Sequence, residues 1–119
     1  MQDFLEKIFW IEAQTKLAHW QEKNGFRHEV LGKFHSELSE KFDLLVEAFI
    51  GSTGNIAPLV SQTAYVLSNN IEMENLIRRI STIMHEITQD KRFQTSSLIN
   101  ITDDIATIID KYTYLLGRE

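Results

Sequence analysis

Side chains that can hold a metal ion recur along one stretch of this 119-residue chain. They include His28, His35, Asp43 and Glu47. Imidazole nitrogens and carboxylate oxygens together suit Fe(II) or Zn(II). Asp43 and Glu47 are four positions apart, so on a helix they share one face and can point at a common ion. These residues are therefore candidate metal ligands.

The stretch from His28 to Glu47 must position most of these groups, and its pattern predicts one amphipathic helix. Apolar residues recur at three- and four-residue steps, which stacks them into a single stripe. The stripe consists of Leu31, Phe34, Leu38, Phe42, Leu45 and Phe49. One flank of the stripe carries His28, Gly32, His35, Ser39, Asp43 and Glu47. The candidate ligands therefore lie at the edge of the buried face.

The length of this helix decides how the candidate ligands can be combined. His28 and Asp43 are fifteen positions apart, which corresponds to roughly 22 Å at about 1.5 Å per residue. They cannot bind one ion within one chain. If the helix packs antiparallel against its own copy about a two-fold axis, the histidine end of one subunit meets the carboxylate end of the other. A symmetric dimer would then hold two mixed sites.

The residues around this helix carry a family resemblance. In chain order they read Ala18-His19-Trp20, a short polar link, Gly25-Phe26, His28-Glu29, the apolar helix, and then Asp43-x-x-x-Glu47. This order resembles the Dps proteins, the mini-ferritins of starved cells. The closing Asp110-Lys111-Tyr112-Thr113-Tyr114-Leu115-Leu116 resembles the E-K-x-x-W-M-L of that family.

The resemblance implies a ferroxidase site shared between two subunits. His19 and His28 match the two histidines of one subunit, Asp43 and Glu47 match the carboxylate pair of its mate, and Trp20 matches the tryptophan beside the site. Iron would be oxidised by peroxide or dioxygen and sequestered, which protects against oxidative damage, with zinc as a substitute metal. The resemblance also implies a homo-oligomer built from two-fold dimers, a dodecamer in that family.

One departure from the family pattern supports an alternative function. The aspartate that the family places four residues after the second histidine falls on Gly32, and the link between His19 and His28 is shorter. A ferritin-like scaffold that has lost ferroxidase activity, and acts as a structural or interaction protein, fits this departure. Metal titration separates the two functions.

Single residues also have simpler interpretations. His19 near a helix C-terminus is favoured by the helix dipole. Asp43 and Glu47 could form an exposed face that pairs with Lys41, since acidic i,i+4 pairs are common. His35 is either a replacement ligand near Gly32 or a packed or interfacial histidine.

Composition limits the class of protein. We expect one domain over 1–119, because the chain is long enough for a single core. It is 43% hydrophobic with a net charge of −5 and no cysteine. We expect a cytoplasmic protein with no membrane span, since no apolar run approaches the ~20 residues required. We expect no DNA coating, because acidic chains are repelled by phosphate and no lysine-rich tail is evident.

The helix pattern predicts an all-α fold. Four helices are expected at about 3–23, 26–50, 71–91 and 95–116, with the cluster Gly51-Ser52-Thr53-Gly54 ending the second. Residues 51–70 form a long connection that contains Pro58 and a predicted short helix. A long link suits parallel second and third helices. The sequence therefore predicts a ferritin-like four-helix bundle with a long crossover between the second and third helices.

Overall fold

The computed structural model describes residues 2–54 and 65–117. These residues form four α-helices and one 3-10 turn, and no strand. The helices are α1 (Gln2–Gln21), α2 (Gly25–Thr53), α3 (Met73–Gln89) and α4 (Ser96–Leu116), with the 3-10 turn at Lys91–Phe93. The prediction of an all-α chain with four helices is confirmed. No helix in this part of the chain is long and apolar enough to cross a membrane.

A side chain caps the start of the long helix α2, and a backbone amide caps its end. It begins where the Asn24 side chain accepts a hydrogen bond from the Arg27 amide (3.0 Å). α1 ends at Gln21, two residues before its predicted end, and Asn24 and Gly25 start α2. The helix also continues through Gly51, where it was predicted to stop, and ends at Gly54 (φ 68°). One interior glycine costs only about 1 kcal/mol, which the flanking helix tolerates.

Side-chain contacts show that α1 runs antiparallel to α3. Lys7 pairs with Glu86 (3.2 Å), and further along α1 the Trp10 ring contacts Arg79, which lies earlier in α3. α1 and α2 are joined by residues 22–24 alone, so they also form an antiparallel pair. α2 and α3 are both antiparallel to α1, and are therefore parallel to each other.

The α2–α4 contacts complete the bundle. The Phe34 and Tyr112 rings stack (centroids 4.9 Å apart), and Lys41 pairs with Asp104 (3.4 Å), so these helices also run antiparallel. The end of α2 and the start of α3 consequently lie at opposite ends of the bundle. A connection that spans its length is required, as the sequence predicted.

The core is centred on the face of α2 that the sequence identified. All six residues of the predicted apolar stripe are buried, and Phe49 meets Phe4 and Phe93 in an aromatic cluster with centroids 4.7–5.3 Å apart. The apolar residues of α1 are less completely buried than those of the α2 stripe. Phe9 is 41% exposed and Trp20 is 66% exposed, so the buried face of α1 is narrower than its apolar content suggests.

Residues 65–70 approach α3 along α1. The fully buried Gln14 amide donates to the Ser68 carbonyl (3.0 Å) and accepts from the Ser68 amide (2.7 Å), and the Trp10 indole donates to the Val66 carbonyl (3.0 Å). The short helix was predicted from apolar residues at 56–60 and 65–67. Residues 65–68 are not helical, and 56–60 lie outside the described residues. α3 begins at Met73 with Glu72 as its N-cap, two residues after the predicted start at 71.

Candidate metal centre

His19 and His28 are brought together by the tight turn between α1 and α2. Their rings stack with centroids 4.1 Å apart and planes 20° from parallel. The Nδ1 atom of His19 lies 2.6 Å from the His28 carbonyl oxygen, and the Nδ1 atom of His28 lies 2.7 Å from the His19 carbonyl oxygen. The two histidines thus exchange side-chain-to-backbone hydrogen bonds, an arrangement we term the histidine clasp.

The clasp fixes which nitrogen of each ring carries the proton. A carbonyl oxygen can only accept, so Nδ1 must donate in both His19 and His28. In a neutral imidazole the other nitrogen, Nε2, then has a free lone pair. Neither Nε2 has a hydrogen-bond partner among the described residues. A ring held through Nδ1–H to a carbonyl, with Nε2 open, has the orientation usual in metal-binding histidines.

Gly32 lies directly beneath the His19 ring. A Cβ atom at position 32 would be 2.9 Å from Cε1 and 3.2 Å from Nδ1 of His19. Any side chain there, including an aspartate, would have to displace the ring from the clasp. The close approach of the His19 ring therefore explains why a glycine stands at position 32. The sequence could not reveal this, because the distance between position 32 and the ring depends on how α1 and α2 pack.

The stacked geometry limits how the two rings can share an ion. Two planes inclined by 20° with centroids 4.1 Å apart meet roughly 10 Å away, whereas an imidazole binds zinc in its own plane at about 2.0–2.1 Å. As they lie, His19 and His28 cannot both bind one ion. His28 is the more exposed ring, whereas His19 is half-buried.

The carboxylate pair lies far along α2, on the exposed surface. A hydrogen bond with Asp43, and then the negative charge of Asp43, raise the pKa of Glu47. These two carboxylates therefore face each other, as their i,i+4 spacing predicted. Lys41, one ion-pair partner that the simpler interpretation named, pairs with Asp104. The unbroken helix keeps His28 and Asp43 roughly 22 Å apart.

A groove of about 800 Å³ between α1 and α2 contains Asp43 and adds residues that the sequence analysis missed. Glu12 and Lys16 of α1 line it opposite His35 and Ser39 of α2. Glu12, Lys16 and His19 recur at four- and three-residue steps, a spacing that places them on one face of α1 and could have revealed them.

The surroundings in the groove shift the pKa values of Glu12 and His35. Burial raises the pKa of Glu12, the Ser39 hydroxyl lowers it, and the charge of Asp43 raises it again. Burial, followed by the positive charges of Lys16 and His19, lowers the pKa of His35. His35 lines the same groove as Glu12 and Asp43. Because its pKa is lowered, the imidazole is neutral at pH 7, which is the form that binds metal.

Within the described residues of one subunit, no three histidine, cysteine, aspartate or glutamate side chains are grouped so that they could hold a metal ion. One end of the α1–α2 surface carries the imidazoles and the other carries the carboxylates.

Comparison with known proteins gives a family without a known activity. No match was found among curated proteins or among solved structures. A family of unknown function (DUF5856) matches residues 19–116, from His19 of the clasp to the last residue of α4. Because the match covers most of the chain, the protein belongs to this family of unknown function.

Proposed function

We propose that this protein is a ferritin-like, iron-binding homo-oligomer of the Dps type. Its sites are formed at two-fold dimer interfaces, with His28 as a ligand and His19 as the residue that orients it from one subunit, and Asp43 and Glu47 as ligands from the other. The observation that carries the proposal is the histidine clasp, which orients the His28 ring and leaves its Nε2 open as a ligand. Parallel α2 and α3 joined by a long crossover support the ferritin-like assignment.

The stacked rings determine how strongly such a site would bind. His28, the more exposed ring, would bind the ion together with the two carboxylates of the partner, while His19 holds the His28 ring in place. Fe(II) would be the substrate. Two Fe(II) ions would each give one electron to one hydrogen peroxide molecule, whose O–O bond breaks and which takes up two protons to leave as two water molecules, and the carboxylates would retain the ferric iron. With Gly32 in place of a carboxylate, we expect weak binding, and zinc would compete for the same ligands.

Anaerobic Fe(II) titration followed by peroxide tests this proposal. We expect saturable binding and rapid oxidation in the native protein. Both should be lost in His28→Ala and in Asp43→Ala, and retained in His85→Ala, which alters an exposed histidine of α3. Iron binding by His28→Ala equal to that of the native protein would rule the site out.

Mixing the two inactive variants tests whether the site is shared. A dimer of one His28→Ala chain and one Asp43→Ala chain keeps one intact site, so random reassembly should restore about a quarter of the sites. A site confined to one chain would show no recovery.

A scaffold without iron chemistry is the second candidate function. The contact between Gly32 and the His19 ring favours it, because the same clasp fastens α1 to α2 without any metal. In that case His28→Ala would lower the free energy of unfolding, while Fe(II) would bind neither protein.

A further inference from the structure

A second cleft, of about 460 Å³, lies between α1 and α3 and shares no residue with the proposed metal site. Its size is within the range of small-molecule sites. Its walls include Glu6, Lys7, Trp10, Tyr65, Arg79 and Ile83. The cleft thus combines aromatic and aliphatic surface with a few charged groups, which is the composition expected of a ligand site.

Arg79 contacts a buried aromatic ring at the wall of this cleft. Its guanidinium carbon lies over the Trp10 ring, 4.4 Å from the ring centroid, and Trp10 is only 2% exposed. The indole is itself fixed by its hydrogen bond to the Val66 carbonyl. A cation–π contact holds a guanidinium in place without using its N–H donors, which stay available for a ligand.

The N–H donors of Arg79 have no ion-pair or hydrogen-bond partner among the described residues. The adjacent Arg78 differs, since it pairs with Glu74 at 2.9 Å. Lys7, on the cleft wall, is paired with Glu86. Among the described residues, Arg79 is thus a cation without an anionic partner, in a protein of net charge −5.

We propose that the α1–α3 cleft binds a small monocarboxylate through Arg79. The planar edge of a guanidinium matches a carboxylate through two parallel hydrogen bonds. Tyr65 and Ile83 offer apolar surface for the body of the ligand. Glu6, on the same wall, opposes the double charge of phosphate and favours a singly charged ligand. This inference is independent of the proposed metal site.

Intrinsic fluorescence can test the cleft directly. The chain has two tryptophans, so the Trp20→Phe variant leaves Trp10 as the single indole beneath Arg79. Benzoate should produce a saturable change in Trp10 emission. Benzamide, which has the same shape without the charge, should bind at least tenfold more weakly, and inorganic phosphate should also bind more weakly. No saturable response to benzoate would overturn the proposal.

Matched substitutions in the same background assign the effect to Arg79. Arg79→Gln should weaken benzoate binding by roughly tenfold or more, and Arg79→Lys, which keeps the charge and the contact with Trp10, should fall between. Arg78→Gln should bind within about twofold of the parent, because its guanidinium is committed to Glu74. Equal benzoate affinity in Arg79→Gln and Arg78→Gln would contradict the proposal. Arg79 would then only shield the Trp10 ring from solvent.

Discussion

Two backbone carbonyls set the tautomer of the His19 and His28 rings. Each carbonyl accepts from Nδ1 of the other residue, so each side chain is held by the backbone of the opposite helix. The ring positions are consequently as fixed as the turn between α1 and α2. Any change that moves one ring must break a hydrogen bond or the stack.

Gly32→Ala should separate stability from metal binding. The added methyl displaces the His19 ring, at a cost of about 1 kcal/mol for the lost hydrogen bond, while alanine returns about 1 kcal/mol of helix propensity. We therefore expect a nearly unchanged free energy of unfolding and several-fold weaker Fe(II) binding, measured by urea unfolding and anaerobic titration.

Gly51→Ala is the control, since it lies in the same helix and its Cβ would meet nothing within 4 Å. It should gain up to about 1 kcal/mol of stability and leave iron binding intact. Native iron affinity in Gly32→Ala would show that the position of His19 is irrelevant to the site.

Glu12→Gln should make the protein more stable and a weaker iron binder. The pKa of Glu12 is raised by burial, so its ionised form costs stability at pH 7, and this cost disappears as pH falls through the raised pKa. We expect a gain of under about 1 kcal/mol at pH 7 after solvent screening, and a smaller gain at pH 4. Thermal unfolding at the two pH values measures it.

Glu40→Gln offers a control for Glu12→Gln, because Glu40 lines the same groove but is exposed. It should change neither stability nor iron affinity appreciably. A Glu12→Gln protein less stable than native at pH 7 would mean that the carboxylate makes a favourable contact that outweighs its burial.

At the scale of the elements, α2 connects every feature of the proposed site. It presents one face to the core, while its flank toward α1 carries the clasp at one end and the carboxylates at the other. α4 braces the opposite side through Glu37. The Tyr112 hydroxyl donates to this carboxylate, and burial together with the charge of Glu37 raises the pKa of Tyr112. α2 is thus held on both flanks along the length that separates the two half-sites.

The junction between α3 and α4 depends on one acidic side chain. Asp90 accepts from the Arg92 amide (2.9 Å) and from its guanidinium (2.6 Å and 3.0 Å), which lowers the pKa of Asp90 to about 2. A lowered carboxyl pKa contributes stability above the unfolded value of 3.8, and that contribution is lost as pH falls through about 2.

Asp90→Asn should therefore destabilise the protein by about 1 kcal/mol or less at pH 7, after solvent screening of this partly exposed pair. The deficit relative to the native protein should shrink between pH 4 and pH 2. Urea unfolding at several pH values measures it, with Asp103→Asn on the exposed face of α4 as the control. A deficit that does not vary with pH would assign the effect to the hydrogen-bond geometry and not to the charge.

For the whole molecule, the sequence predicted what depends on a single helix. The buried stripe of α2 follows from periodicity within one segment. The histidine clasp and the contact between Arg79 and Trp10 depend on how two helices meet, which no one-helix pattern contains. The ferritin-like assignment and the shared site remain predictions.

The two hydrogen bonds between the Gln14 side chain and the Ser68 backbone also bear on how the chain folds. α1–α2 and α3–α4 are two hairpins with local contacts, each able to form early, and only the long connection must then close. Closing this connection costs little entropy, because the cost grows only slowly with loop length. The α1 helix of a second molecule, however, would offer an identical Gln14 amide to the Ser68 backbone. Because the Gln14 amide is fully buried and pairs with the Ser68 backbone, its loss would leave the approach of the second hairpin to its own α1 less tightly specified.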